Sequence, residues 1–562
     1  MTITDQQPSD DPTEGATPGR VSHTLTGALV GLATAAAALG GAELVAGAAR
    51  SFASPITQVG NRVIDAAPPW LKTFAIRNFG TNDKPVLIGS VMVLLLVFAI
   101  VLGIISRRHL TIASVGAAGF GLIGAAASIV GVGGAASAVP SVVGGVIAVF
   151  AIRWLATKAW DQEHAASTTA TVPSSKSTTS STSSDESPII HKQSGELDPI
   201  VATGGSTPTR RAFLAAGSAA VVIGAGAATT GRWLRGRFDA AVDRAKVVLP
   251  KAAKPIPELD VASFSVDVDG ATPFITSNRE FYRVDTALEV PQVAVDDWKL
   301  TIKGLVDNEL SFTYDELLDR KLVEADITLT CVSNEVGGRL AGTARWLGVP
   351  LTELLEEAGV QSDADQIVGR SVDGYTCGFP VDAVDGKRTA LLVVGMNGEP
   401  LPVNHGFPAR LLVAGLYGYV SATKWLSEIE LTRFDEFDQY WVPRGWDAKA
   451  PIKTFSRIDT PAALGKIPAG EHPIAGVAWA QTRGIERVEV KVDDGPWTEA
   501  ELKPVPNNET WCQWVIPFDF TAGSHNITCR ATDSTGEVQT EERAAPRPNG
   551  ASGWHSVVTL VT

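Results

Sequence analysis

An α-helical membrane region, then an α+β domain, then an all-β sandwich is the fold class that the sequence predicts. Three observations carry it. Long apolar runs crowd into the first 152 residues, short β-rich and helical runs alternate from about Pro255 to Arg433, and β patterns alone remain after Pro461. A chain of 562 residues is too long for one domain. Hydrophobic residues at 45% and charged residues at 19% exclude a disordered chain.

The net charge of −14 is unevenly shared. Residues 1–254 hold 21 Lys+Arg against 15 Asp+Glu, and residues 255–562 hold 26 against 46. The acidic half argues against a nucleic-acid partner, and the basic half with its apolar runs suits a membrane. The four cysteines stand at 331, 377, 512 and 529. This spacing leaves no zinc knuckle, no iron–sulfur cluster run and no haem attachment motif.

The membrane elements come first. Thr24–Ala42 has 19 residues without a charge, Val86–Ile105 has 20, and Leu110–Ile152 has 43, interrupted near Gly131–Pro140. About 20 residues cross a bilayer as a helix, so the longest run holds two spans and a turn. A buried globular helix is the competing reading of any one run, but so many close together favour the bilayer. Residues 1–23 are expected to form a disordered N-terminus and 24–158 four transmembrane helices. His23 and His109 stand only at the edges of runs, so no haem held by paired imidazoles is expected there.

Residues 159–208 are expected to be a cytoplasmic linker, because Ala165–Ser187 is dominated by Ser and Thr and cannot bury enough apolar surface. Thr209-Arg210-Arg211-Ala212-Phe213-Leu214 follows, then an uncharged Ala/Gly-rich run to Thr230. Paired arginines before such a run read as a twin-arginine export signal. Residues 209–231 are taken as that signal and a fifth transmembrane helix. Arginines in the cytoplasm put Arg107, Arg108, Arg153 and Lys158 inside, as positive charges prefer. Arg50, Arg62, Lys72, Arg77 and Lys84 then lie outside, where Trp70, Leu71, Phe74 and Ile76 suggest an interfacial helix. The expected location is the cell membrane, multi-pass, with the C-terminal half extracytoplasmic.

In that half, Leu300–Val306, Ile327–Cys331, Leu391–Val394 and Leu411–Val413 read as strands, and Tyr314–Arg320 and Pro350–Ala358 as helices. Residues 255–435 form the α+β domain. Within 450–562, Val488–Val492, Trp511–Ile516 and Ile527–Thr532 are expected strands, and Asp493-Asp494-Gly495 a turn. Cys512 and Cys529 flank a second turn candidate, Thr521–Ser524, and a symmetric hairpin would put them opposite each other. A disulfide between them is expected on that ground.

Leu329-Thr330-Cys331-Val332-Ser333-Asn334-Glu335-Val336-Gly337-Gly338 ends an apolar strand with a lone cysteine and a polar, glycine-bearing loop. A buried core cysteine is the commoner fate of such a residue. Other motifs follow in order and decide otherwise. They are Asn278-Arg279-Glu280-Phe281-Tyr282-Arg283, Ala344-Arg345-Trp346-Leu347-Gly348-Val349-Pro350-Leu351, and Asp373-Gly374-Tyr375-Thr376. Asn397-Gly398-Glu399-Pro400-Leu401-Pro402, His405-Gly406-Phe407-Pro408-Ala409-Arg410, Gly415-Leu416-Tyr417-Gly418 and Ala422-Thr423-Lys424-Trp425 come next. Gly550-Ala551-Ser552-Gly553-Trp554-His555 stands near the end. From about Pro273 onward the chain resembles the sulfite oxidase family of molybdopterin enzymes, in its exported, membrane-anchored bacterial branch.

The resemblance implies a molybdopterin-binding domain followed by an immunoglobulin-like sandwich of dimerisation type, which leaves room for a homodimer. It implies Cys331 as the molybdenum ligand, a position that suits a soft thiolate. It implies cofactor contacts from Asn278, Phe281, Tyr282, Arg283, Asp373, His405, Arg410, Ser421, Ala422, Thr423 and Lys424, with Arg283 and Tyr440 at the reacting centre. The residue types fit: Arg410 and Lys424 can pair with a phosphate, His405 and Asn278 can hydrogen-bond a pterin, and backbone N–H groups at Ser421–Thr423 can meet an anion. No haem or iron–sulfur cluster is expected in the chain, so electrons pass to or from a separate carrier or respiratory component.

Glu335 and Val336 stand where sulfite-oxidising members carry arginines. A carboxylate there repels sulfite unless Arg283 or Arg339 offsets it. The expected function is therefore two-electron oxygen-atom transfer on a small sulfur oxyanion or sulfoxide. A catalytically silent cofactor-binding or sensor protein is the alternative, and a purely structural membrane protein a third class.

Overall fold

The computed structural model describes residues 18–49, 51–68, 71, 74, 78–79, 83–129, 134–169, 210–236, 239–253, 255–257 and 262–562. Residues 1–17 and 170–209, with Arg50, Trp70, Lys72, Ile76 and Arg77, fall outside these residues. Residues 18–23, expected to be disordered, and 159–169, expected to be linker, are helical instead. Two compact units divide the chain, residues 1–237 and 238–562.

The first unit is helical: α1 (Pro18–Ala46), α2 (Pro55–Ala66), α3 (Asp83–Ile105), α4 (Leu110–Ile129), α5 (Val139–Thr169) and α6 (Arg210–Gly236). Among the described residues, His23–Ala46, Lys84–Ile105, Leu110–Ile129 and Ala135–Trp160 are long and apolar enough to cross a membrane. Helix α6, expected as a fifth span, is not among them. It packs along α1, as do α3 and α5. The small residues explain how. Gly121 backs onto Gly145, Gly40 onto Gly224 and Gly47 onto Gly231, and a Cβ at Gly224 would overlap the Ala36 carbonyl. Leu94, Leu122 and Phe150 stay exposed on the outside, which is how lipid-facing residues behave. One acid is buried in α1: Glu43 pairs with Arg235 of α6 at 3.2 Å and accepts a hydrogen bond from Ser54.

The second unit holds two domains. The first contains β1 (Lys299–Gly304), β2 (Leu310–Thr313), β3 (Val323–Thr330), β4 (Ala341–Pro350), β5 (Gln366–Ser371), β6 (Thr376–Pro380), β7 (Ala390–Met396), β8 (Glu399–Pro400), β9 (Arg410–Val413) and β10 (Leu426–Thr432). They make two sheets, ordered β2-β1-β10-β5-β6 and β3-β4-β7-β8, with β9 on β7. Helices are short: Tyr314–Leu318, opened by a Thr313–Glu316 capping box, Leu351–Ala358, closed by Gly359 in the left-handed region, and Gly418–Ser421. The domain is thus more β-rich than the expected α+β balance. The long strand-like runs pair with one another rather than with crossover helices.

The second domain contains β11 (Phe455–Thr460), β12 (Lys466–Ile467), β13 (Gly470–Trp479), β14 (Ile485–Val492), β15 (Thr498–Glu499), β16 (Glu501–Leu502), β17 (Cys512–Phe520), β18 (Gly523–Asp533) and β19 (His555–Val561). Its sheets run β11-β13-β17-β16 and β12-β19-β18-β14-β15. Ile458, Ile474 and Trp514 of one sheet share a core with Val488, Ile527 and Val557 of the other. Trp479 and Trp511 join the core of the first domain.

The expected Cys512–Cys529 disulfide is not formed; all four cysteines are free and buried. Strands β17 and β18 are consecutive but lie in opposite sheets. The Thr521–Ser524 region carries the chain between sheets, so the two cysteines are not hairpin partners. Cys512 pairs with Ala478, and Cys529 with Val490 and His555.

Candidate active site around Cys331

Strand β3 is buried from Ala325 to Thr330 and delivers Cys331 one residue past its end. The excursion to β4 closes on that cysteine. Cys331 donates its N–H to the Leu340 carbonyl at 2.9 Å, Asn334 N–H donates to the Cys331 carbonyl at 3.0 Å, and the Asn334 side chain accepts from Leu340 N–H at 2.8 Å. Burial pushes the thiol up, against opposing help from Ser333 and Lys424. Without a metal it is a neutral thiol; a metal bound there would deprotonate it.

Three phenols surround the cysteine electrostatically. Burial raises Tyr282, Tyr375 and Tyr417, and a Cys331 thiolate raises each further; Tyr417 reaches about 12. All three therefore remain O–H donors at neutral pH. Tyr375 donates to the Tyr419 carbonyl at 3.0 Å. Phe281 stacks on Tyr282 at 5.3 Å and meets Trp346 and His405 edge-on.

The cations come next. Arg410, at the start of β9, is 5% exposed. It donates to the His405 carbonyl at 3.2 Å and lies over the Trp346 ring, but its Nε is buried without a partner. Burial lowers it to about 10. Lys424 lowers to about 8 for the same reason, although Asp285 holds its Nζ at 3.0 Å. Asp285 also pairs with Arg283 at 2.8 Å, so one buried carboxylate joins two cations. His405 is 2% exposed, and burial and then Arg410 lower it to about 4. Its Nε2 faces the Asn278 carbonyl at 3.1 Å. A carbonyl only accepts, so Nε2 carries the proton of a neutral ring.

The other expected residues are placed as follows. The Asn278 amide is engaged by Met396 and Asn397. Asp373 is exposed and accepts from Tyr375 N–H, shaping the turn that presents Tyr375. Ser421 donates to carbonyls of Leu416 and Tyr417, Ala422 N–H to Gly418, and Thr423 meets Cys377 and Gly369. These three thus hydrogen-bond within the fold itself. Tyr440 lies beside Tyr375 at 5.6 Å, with Arg444 over its ring. Tyr375, Tyr417 and Trp346 lay in the quoted motifs without an assigned role, and Asp285 had no signal at all. Only folding brings it to Lys424, 139 residues away.

The donor set fits a molybdopterin. A buried cysteine supplies a soft ligand, and Arg410 is a buried cation with no carboxylate partner among the described residues. Burying such a charge is costly unless an anion joins it, and a pterin phosphate is one.

The profile described as oxidoreductase molybdopterin binding domain matches residues 287–441, and that described as Mo-co oxidoreductase dimerisation domain matches 452–558. Mitochondrial sulfite oxidase of Rattus norvegicus is 28% identical over 361 residues, covering 55% of this chain and 64% of that protein. NADH nitrate reductase of Solanum lycopersicum is 27% identical over 318 residues, covering 45% and 35%. Among solved structures, the sulfane dehydrogenase SoxCD from Paracoccus pantotrophus is 22% identical, covers 57% of this chain and 94% of its own, and has a TM-score of 0.46. The chain spans just under two thirds of the length of the rat enzyme. Residues 287–441 and 452–558 thus carry, in order, the two domains of a molybdopterin-dependent oxidoreductase, and over them the chain is similar to the sulfite oxidases.

Proposed function

We propose that the chain is a membrane-anchored, outward-facing molybdenum-cofactor oxidoreductase. It catalyses two-electron oxygen-atom transfer on a small sulfur oxyanion or sulfoxide and exchanges electrons with a separate carrier. The observation that carries this reading is the convergence of Cys331 with buried Arg410 and Lys424 and three neutral phenols. The second domain is read as an immunoglobulin-like dimer contact, and the four apolar helices as the anchor.

When bound, the cofactor would supply the redox chemistry, giving an oxygen atom to a sulfur oxyanion or taking one from a sulfoxide. The chain's own residues bind and orient it. Cys331 holds the metal as a thiolate. Arg410 and Lys424 neutralise phosphate charge, and Asp285 keeps Lys424 and Arg283 at their posts. Phe281 and Trp346 wall the site from water, which strengthens each polar contact inside. Arg283 and Tyr440 act on the substrate side. Glu335, exposed on the loop after Cys331, repels a dianion and favours an uncharged sulfoxide within this class.

Elemental analysis of the purified chain and of Cys331→Ser tests the reading. Sulfite with an artificial acceptor and sulfoxides with an artificial donor are assayed alongside. Stoichiometric molybdenum and turnover are expected in the parent, with a folded but inactive Ser variant. Full activity in Cys331→Ser would sink the assignment; metal without turnover on either class would favour the silent sensor.

A further inference from the structure

The loop between β3 and β4 is held by the second domain as well as by its own. Arg457, on β11, is 3% exposed and donates to the Gly338 carbonyl at 2.9 Å. The same guanidinium is fixed by Asp459 at 2.7 Å and by Thr272 at 2.8 Å. Beside it, Ile458 N–H donates to His555 Nδ1 at 3.0 Å. That bond orients the imidazole, and its Nε2 edge rests on Gly337, where any Cβ would overlap the ring. Gly337 also has φ +78°, so a side chain there is disfavoured twice. On the other side of this loop, Asn334 N–H donates to the Cys331 carbonyl at 3.0 Å, and Ser333 acts against burial on the Cys331 thiol.

We propose that Arg457 and His555 are positioning residues: through residues 333–339, the second domain sets how the Cys331 thiol is presented to the metal. This rests on the reading of Cys331 as the metal ligand. It gives the second domain a role at the reacting centre separate from subunit contact. Groups that orient a metal ligand without touching the metal commonly matter in this way.

The test uses the full chain prepared without cofactor, treated with iodoacetamide and followed cysteine by cysteine by mass spectrometry. His555→Asn keeps an acceptor for Ile458 N–H but removes the ring above Gly337. Cys331 is expected to alkylate faster than in the parent chain, because the ring that holds the loop over it is gone. Cys377 and Cys512 are buried elsewhere and should keep their rates, whereas Cys529 sits opposite His555 and is not used as a control. Gly337→Ala should act in the same direction, and the double variant should react no faster than Gly337→Ala, because the shorter side chain makes room. In cofactor-loaded protein, both single variants should retain molybdenum and shift the paramagnetic resonance signal of the half-reduced metal. An unchanged Cys331 rate, equal acceleration of Cys331, Cys377 and Cys512, or additive acceleration in the double variant would each overturn the proposal. Normal molybdenum content in Cys331→Ser would instead sink the metal-ligand reading, and would leave the alkylation result standing.

Discussion

Helices α1 and α6 meet through glycines, whereas the strands around Cys331 meet through charged and aromatic side chains. Each region also buries charge. Glu43 in α1 faces Arg235, and their charges cancel locally. Arg410 lies equally deep with a ring, a carbonyl and an unpartnered Nε. The difference separates two uses of a buried charge. A matched pair fastens one helix to another; an unmatched cation marks where an anion belongs.

Arg410→Met breaks or upholds this contrast most sharply. If the cation is kept for a ligand, its removal lowers cofactor occupancy at least about tenfold. It also stabilises the cofactor-free protein, because an unpaired buried charge is costly to keep out of water. Molybdenum content and denaturant midpoints read the two effects separately. Unaltered molybdenum would remove Arg410 from the cofactor site.

Lys424 supplies a pH test with up to about 3 kcal/mol at stake. Its ordinary value is 10.5, and the folded, cofactor-free protein holds it at about 8. The unfolded chain therefore binds more protons between these limits, and stability from this group rises as pH increases from 8 to 10.5. Phosphate binding favours the charged form, so affinity should fall over the same window with proton uptake on binding. Metal retention after incubation at pH 7 and pH 9.5, compared with Lys424→Met, measures this. Equal pH dependence in both proteins would clear Lys424 of the role.

Glu43→Gln should loosen α6 from α1 by roughly 1–3 kcal/mol, because Arg235 loses the charge that matches it. Protease accessibility of α6 in vesicles reports the change. An unaltered digestion pattern would mean that the glycine contacts alone hold the helix. The smallest effect is a count: the denatured, metal-free protein should show four free thiols before reduction, since β17 and β18 lie in opposite sheets. Two free thiols would restore the bridge expected from the hairpin argument.

The four apolar segments, the strand leading to Cys331 and the motifs from Asn278 to Lys424 were legible in the chain itself. Hydropathy over about 20 residues is a local property, and so is a short motif. The rest needed contacts between distant segments. No pattern near Asp285 announces that it joins Arg283 to Lys424, and none at Gly337 announces the ring of His555. The Cys512–Cys529 expectation failed for the same reason: sequence neighbours share a hairpin only if they share a sheet. Residue types and their order determined the family and the candidate ligands. Tertiary structure alone decided which charges are matched and which phenols face the cysteine, because burial and pairing arise only when remote segments pack together.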